Sequence, residues 1–356
     1  MMTQLAAESG QQILALPELT SGRFLDTWRL DPAALVLVIV LGAAYVWGVV
    51  RLRRRGEHWP LVRTAAFVLI GLGTVVFATM SALAVYNKVL FWPAAVQNVL
   101  LDLIAPVGLA LGDPLSLACR VLPQPLAEGL RGAMSGRAVR LLTYPLVSSL
   151  LVVATELGIY FTPYFATALS VGALHEVMYL HLLLAGCLFV LPMLTGEQLL
   201  PSWCTYPVRA ALVFLDGVFD AIPGLVVMTS STLVAGQWYA ARDRGWGPSV
   251  ELDQMIGGGA MISIAELVGL LFLIAMFVEW FRAERADTAE LDRRLDAELE
   301  RVPAPAASES PAGAGPPAGE ITEANRVRPW WETDPGVVGE RFRAARRGEN
   351  ATPPPP

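Results

Sequence analysis

The sequence predicts an all-α membrane protein, a bundle of seven transmembrane helices. Hydrophobic residues make up 54% of the 356 positions and charged residues only 16%, whereas soluble domains carry about 25% charged residues. The apolar residues occur in long blocks, several of which reach the roughly 20 residues that a helix needs to cross a bilayer core. Apolar and polar positions do not alternate with a period of two, and helices satisfy their own backbone hydrogen bonds in lipid.

Seven segments have this length, and their predicted boundaries are 32–50, 62–83, 93–112, 141–160, 174–195, 208–232 and 257–281. The N-terminus lacks a basic stretch followed by an apolar one, so we expect no cleavable signal peptide. Residues 1–31 then form an extracytoplasmic segment, 32–281 the transmembrane domain and 282–300 a charged cytoplasmic helix. Residues 301–356, rich in Pro, Ala and Gly, predict a disordered tail that contains Trp330-Trp331.

The basic loops predict the orientation, because cytoplasmic loops carry an excess of Lys and Arg. Arg residues cluster after the first, third and seventh spans, at 51–63, 120–140 and 282–294. With seven spans these three regions share one side, which is then the cytoplasm. The N-terminus is therefore predicted outside and the C-terminus inside. The net charge is −6, its acidic excess lies mostly in the spans and the tail, and we expect no nucleic-acid partner.

Ionisable side chains inside or at the ends of these spans are the strongest functional signal. Each is costly at membrane depth unless it is paired, hydrated or bound to a metal ion. They are Asp102, Glu156, His175, Glu176, His181, Asp216, Asp220, Asp253 and Glu266. The predicted topology places most of them in the outer half and the middle of the bundle, so we expect a shared polar cavity open to the outside.

Copper is the metal that this set suits best, since His, Met and carboxylate side chains occur together and a Met thioether favours the reduced ion. The candidate ligands are His175, Met178 and His181, with Asp220 and Asp253 nearby to orient the imidazoles. The two His lie six residues apart and point about 120° away from each other on a straight helix. Ordinary packing or hydrogen bonding is the alternative role for each of these residues.

Enzymatic chemistry has no support in the sequence, and we expect no enzyme. The chain contains no Walker A loop, no GxSxG, no HExxH and no CxxCH haem attachment motif. Its three cysteines, Cys119, Cys187 and Cys204, form no CxxC pair, and a disulfide is not expected.

Four stretches, taken in order, carry a family resemblance. The third span contains Gln97-Asn98-Val99-Leu100-Leu101, Ala105-Pro106 and Leu111-Gly112-Asp113-Pro114, and the fifth contains His175, His181, Gly186, Phe189 and Pro192. Trp238-Tyr239 follows the sixth span, and the seventh opens with Asp253-Gln254, Gly258 and Met261. Over roughly residues 30–285 the chain resembles the seven-span assembly factors of caa3-type cytochrome c oxidase. It departs from them at Ala94 and Asn98, where the family has His, and at Val190, where the family has Trp.

The resemblance implies an accessory role in oxidase assembly in a prokaryotic plasma membrane that the chain crosses several times. Copper bound near the outer face would be delivered to the oxidase, whose subunits and the lipid bilayer are the expected partners. The departures leave open a copper site confined to spans five to seven, or one of altered affinity. A transporter that uses Asp216, Asp220 and Glu266 and a scaffold that recruits a partner through Trp330-Trp331 remain as alternatives.

Overall fold

The computed structural model describes residues 16–195, 199–201, 203–242 and 244–301, and it confirms the predicted all-α membrane class. Every regular element within these ranges is a helix. Six helices are long and apolar enough to cross a membrane, and a bent helix pair makes a seventh crossing when it is counted as one span. The tail prediction, including Trp330-Trp331, concerns residues outside the described ranges, apart from residue 301.

The first three spans pack closely, and two of them contain a wider π-helical turn. Span 1 is Pro32–Arg54; span 2 comprises Leu61–Ala65, the π-helical Ala66–Leu72, Gly73–Met80 and Ala82–Tyr86; span 3 comprises Phe91–Val99, the π-helical Leu100–Ile104 and Ala105–Leu111. The π-helical turn of span 3 holds Asp102. Such turns widen the helix locally and are frequent at functional positions.

Span 4 is broken, and the helices Pro145–Phe161 and Pro163–Ser170 meet at a bend of 67°. Thr162 at the break is extended, with φ −121° and ψ 170°, and its hydroxyl accepts a hydrogen bond from the backbone N–H of Tyr164. The break follows from Pro163, because proline has no N–H and disfavours helical geometry in the residue before it.

The remaining spans are continuous helices: span 5 is Gly172–Leu194, span 6 is Tyr206–Thr229 and span 7 is the helix Val250–Arg301. Proline stands in the first turn of spans 1, 4 and 6, at Pro32, Pro145 and Pro207. Span 7 begins seven residues before its predicted start at 257, because hydropathy does not register the polar first turn of a helix. The chain divides into two units, Met1–Leu291, which holds spans 1 to 6 and most of span 7, and Asp292–Pro356, of which residues 292–301 are described.

Short helices precede span 1 and make up much of the connections between the spans. They are Ser21–Asp26, Pro114–Val121, Gln124–Met134, Arg137–Leu142 and Gly236–Ala240. The predicted fourth span includes part of Arg137–Leu142, which is a separate helix in the structure. Asp113 caps the helix that follows span 3 and pairs with Arg63, whose Nη1 lies 2.8 Å from its Oδ2.

Glycine contacts bring the central spans together. A Cβ atom on Gly108 would lie 2.2 Å from the backbone nitrogen of Gly71, so spans 2 and 3 touch through their backbones. A Cβ atom on Gly186 of span 5 would lie 1.7 Å from the carbonyl oxygen of Asp102. Small residues permit this close approach in membrane bundles.

Replacing Gly186 with Ala is expected to destabilise the bundle by more than about 2 kcal/mol, because the added methyl group meets backbone that cannot rotate away. Gly158→Ala is the matched control, since a Cβ atom there has no neighbour within 4 Å. Thermal unfolding of both variants in detergent measures the difference. Equal melting temperatures would contradict the backbone contact at Gly186.

Candidate functional site

A buried hydrogen-bond network joins the turn between spans 2 and 3 to span 5. The Asn87 amide donates to Gln97 Oε1 at 2.8 Å and to the Tyr179 hydroxyl at 3.0 Å, and that hydroxyl lies 2.6 Å from His175 Nε2. Gln97 in turn donates to the carbonyl of Ala78 at 2.7 Å. All four polar side chains are buried. The network fixes the His175 ring at the end of the bundle predicted to be extracytoplasmic.

The number of hydrogens on each polar group indicates which groups donate and which accept in this network. The Asn87 amide has two hydrogens, which Gln97 and Tyr179 accept at shorter distances than the 3.3 Å to His175. The Tyr179 hydroxyl then donates its own hydrogen to His175 Nε2. This pattern describes a neutral imidazole with its hydrogen on Nδ1. Nδ1 lies near the Ala168 carbonyl but makes no hydrogen bond of normal geometry.

A methionine sits beside this imidazole on the same helix. Met178 follows His175 by three residues, so the two side chains share a face of span 5. Met178 is fully buried and belongs to the main hydrophobic core. One nitrogen and one thioether sulfur are therefore held one turn apart in a region shielded from solvent.

The loop between spans 6 and 7 is bonded to the turn that carries Asn87. The Tyr239 hydroxyl donates to the Asn87 carbonyl at 2.8 Å, and Trp238 Nε1 donates to the Lys88 carbonyl at 3.1 Å. The Arg242 guanidinium lies 3.4 Å from the centre of the Trp238 ring. Burial, together with neighbouring Arg residues, lowers the pKa of Lys88 below its ordinary value. The loop thus covers the network at this end of the bundle.

Asp253, a predicted copper ligand, serves as a cap. Its carboxylate accepts hydrogen bonds from the backbone N–H groups of Phe91 at 2.9 Å and Trp92 at 3.1 Å, at the start of span 3. Arg244 Nη2 lies 3.2 Å from the same carboxylate, and both side chains are buried. A carboxylate at a helix N-terminus is stabilised by free N–H groups and by the helix dipole. Asp253 thereby links span 7 to span 3.

Four carboxylates form a second buried set deeper in the bundle. Asp102 of span 3, Glu156 of span 4, and Asp216 and Asp220 of span 6 interact electrostatically with one another. Asp216 accepts a hydrogen bond from Ser149. Asp102 Oδ1, Glu156 Oε2 and Asp220 Oδ1 have no hydrogen-bond partner in the described part of the chain. The predicted association of Asp216 with Asp220 thus extends to two further spans.

Of the remaining three candidates, Glu176 is half-buried, and the other two lie on the outside of the bundle. His181 is exposed, and its Nε2 lies 3.3 Å from the Thr155 hydroxyl. Glu266 is also exposed, on span 7. The structure therefore brings only His175 and Met178 together from the predicted copper set, and it places His181, Asp220 and Asp253 in three other environments. Among the residues described, no group of three or more His, Cys, Asp or Glu is arranged to hold a metal ion.

Sequence reasoning missed several residues of the site, among them Asn87, Tyr179 and Arg244. Tyr179 carried a usable signal, since it follows His175 by four residues and shares its helix face. Asn87 and Arg244 carried none, because polar residues are expected where a span meets water. Asn98, which replaces a family His, donates to the Tyr160 hydroxyl at 3.0 Å.

Replacing Asp253 with Ala is expected to lower the free energy of unfolding by about 3 kcal/mol, because Arg244 loses its buried partner and span 3 loses its cap. Glu251→Ala, two residues earlier on the same helix but exposed, is the control and should change little. Thermal unfolding in detergent gives the comparison. If Asp253→Ala melted at the same temperature as the wild type, the proposed capping role of Asp253 would be wrong.

Comparison with known proteins identifies the family of this chain. The family model described as cytochrome c oxidase caa3 assembly factor matches residues 43–283. Uncharacterized proteins of Mycobacterium bovis and Mycobacterium tuberculosis are each 33% identical over 289 residues, which cover 78% of this chain and 43% of the relative. A Mycobacterium leprae protein is 32% identical over 285 residues, 77% of this chain and 42% of its own length. The chain thus spans less than half the length of these relatives, and no solved structure matches it. It belongs to the cytochrome c oxidase caa3 assembly factor family.

Proposed function

We propose that this protein is a non-enzymatic accessory factor for the assembly of a cytochrome c oxidase in a bacterial plasma membrane. The observation that carries this proposal is the family match over residues 43–283, which takes in all or part of every span. The mycobacterial relatives are uncharacterized, so they add no activity of their own. The bundle supplies a membrane setting in which the oxidase subunits and this chain would meet.

We further propose that copper is the cargo and that His175 and Met178 are its contacts. An imidazole nitrogen and a thioether sulfur are donors that suit Cu(I). The Tyr179 hydroxyl already occupies His175 Nε2 at 2.6 Å, so an ion bound at that nitrogen has to displace a hydrogen bond. Two donors and this competition favour weak, transient binding. Such binding suits an ion that is handed on to another protein.

The remaining predicted ligands take no part in this proposed contact. Asp253 is committed to the N–H groups of span 3 and to Arg244. Asp220 belongs to the carboxylate set, and His181 lies on the lipid-facing side beside Thr155. The proposal therefore rests on one turn of span 5.

The double variant His175→Ala/Met178→Leu is expected to lower Cu(I) affinity at least about tenfold, because both proposed donors are removed. His58→Ala is the matched control, since His58 is exposed in the loop between spans 1 and 2. Competition with a chromogenic Cu(I) chelator measures the affinity of the purified full-length proteins. In cells lacking the wild-type gene, the double variant should leave the oxidase short of copper while His58→Ala restores it. Equal Cu(I) binding by all three proteins would refute copper handling by span 5.

A second function, ion transport, is favoured by one observation only, the unpartnered oxygens of Asp102, Glu156 and Asp220. Intramembrane carboxylates of this kind relay protons in pumps. The structure separates Glu266 from this set, so such a relay would use Asp102 and Glu156 instead.

If the carboxylates transport an ion, vesicles that contain the protein should take up metal in a pH-dependent manner. Asp220→Asn should reduce the uptake to the level of empty vesicles, because an amide side chain neither releases nor binds a proton, unlike a carboxylate. Glu284→Gln, exposed beyond the apolar part of span 7, should leave the uptake unchanged. Wild-type vesicles that take up no metal would exclude this function.

A further inference from the structure

Glu266 holds an unusual position at the middle of the apolar part of span 7. It is the only ionisable residue in the stretch 254–278, and twelve residues separate it from either end. At a rise of 1.5 Å per residue, it lies about 18 Å from both ends. A carboxylate in this position is near the centre of the apolar layer.

The side chain points away from the bundle. The inward face of span 7 consists of the buried residues Gly258, Met261, Ala265, Val268 and Phe272. Glu266 lies instead with the exposed Leu267 and Leu270, whose exposed fractions are 60% and 55%. Its carboxylate makes no hydrogen bond or ion pair with any residue that the structure describes. An ionisable residue within a transmembrane helix almost always faces the bundle interior or a water-filled cavity and pairs with another polar group.

Two small residues share this outward face. Gly259 and Ser263 precede Glu266 by seven and three residues, so the three positions lie within one narrow arc of the helix. A Cβ atom on Gly259 would meet only the Met228 sulfur, at 3.8 Å, whereas Gly258 on the other face is closed by the Met228 and Gly224 backbones. Small residues four apart let a second helix approach closely.

We propose that the outward face of span 7, formed by Gly259, Ser263, Glu266 and Leu270, docks a transmembrane helix of a partner protein that carries a basic side chain at membrane depth. A basic side chain would neutralise the carboxylate of Glu266, whereas the hydrocarbon chains of lipid offer it no opposite charge. The small residues would bring the two backbones near enough for this contact. The identification of that partner as an oxidase subunit rests on the proposed function.

Photo-crosslinking in intact membranes tests the docking surface. A benzoylphenylalanine at Leu270 reports on this face, and one at Ile39, exposed on span 1, reports on lipid elsewhere. The Leu270 probe should give an adduct whose peptide contains Lys, Arg or His within an apolar segment. Adding Glu266→Leu should reduce the yield about 3- to 20-fold, the range for one interhelical polar contact in a membrane. Glu284→Gln should not reduce it.

Several outcomes would overturn the proposal. These are an adduct yield unaffected by Glu266→Leu, an adduct with a second copy of this chain, and an adduct with a segment that lacks a basic residue. Thermal unfolding of Glu266→Leu should match the wild type, since the residue is exposed, and this excludes misfolding as the cause of a lost adduct. Oxidase activity in a strain without the gene separates the two proposals. Normal activity there refutes the assembly role, while an adduct with a basic helix of another protein still supports the docking surface.

Discussion

The buried carboxylate of Asp253 is the interaction on which the rest of the site depends. It accepts the free N–H groups at the start of span 3 and pairs with Arg244 from the preceding loop. Gly257, one turn further, packs against the Phe91 ring so closely that a Cβ atom would lie 2.6 Å from it. Span 7, the loop between spans 6 and 7, and span 3 are therefore held together at this end of the bundle. Gln97 and Asn87 owe their positions beside His175 to this arrangement.

The His175 network, the carboxylate set and Glu266 lie in three different environments. In the His175 network the side chains bond to one another, which suits a rigid support for one imidazole, although Asn87 Oδ1 and His175 Nδ1 have no partner among the described residues. The carboxylate set has oxygens without a hydrogen-bond partner among the described residues. This arrangement is costly because apolar surroundings offer no hydrogen bond in place of those made with water. Glu266 has an apolar surface around it. These differences argue for separate roles, and they explain why a single polar cavity does not describe the bundle.

The class of the fold and the approximate spans could be predicted because hydropathy is a local property of each segment. The break at Thr162 escaped the prediction, since a bend does not change the mean hydropathy of a span. The sequence could predict how deep each site residue lies in the bundle, but not whether its side chain points into the bundle or away from it. His181 and Asp253 illustrate this: the first turns outward, and the second meets Phe91, 162 positions away in the chain. Only packing between spans decides such contacts.

Proline in the first turn of spans 1, 4 and 6 limits how the protein can respond to bilayer thickness. A helix with a proline in its first turn, at Pro32, Pro145 or Pro207, cannot readily add a turn at that end, because the ring removes an N–H group and restricts the residue before it. Membrane proteins meet a thicker or thinner lipid layer by tilting, kinking or deforming the lipid. For these three spans the length is set at one end, so tilt is the adjustment that remains. Their partners in the membrane would have to tilt with them.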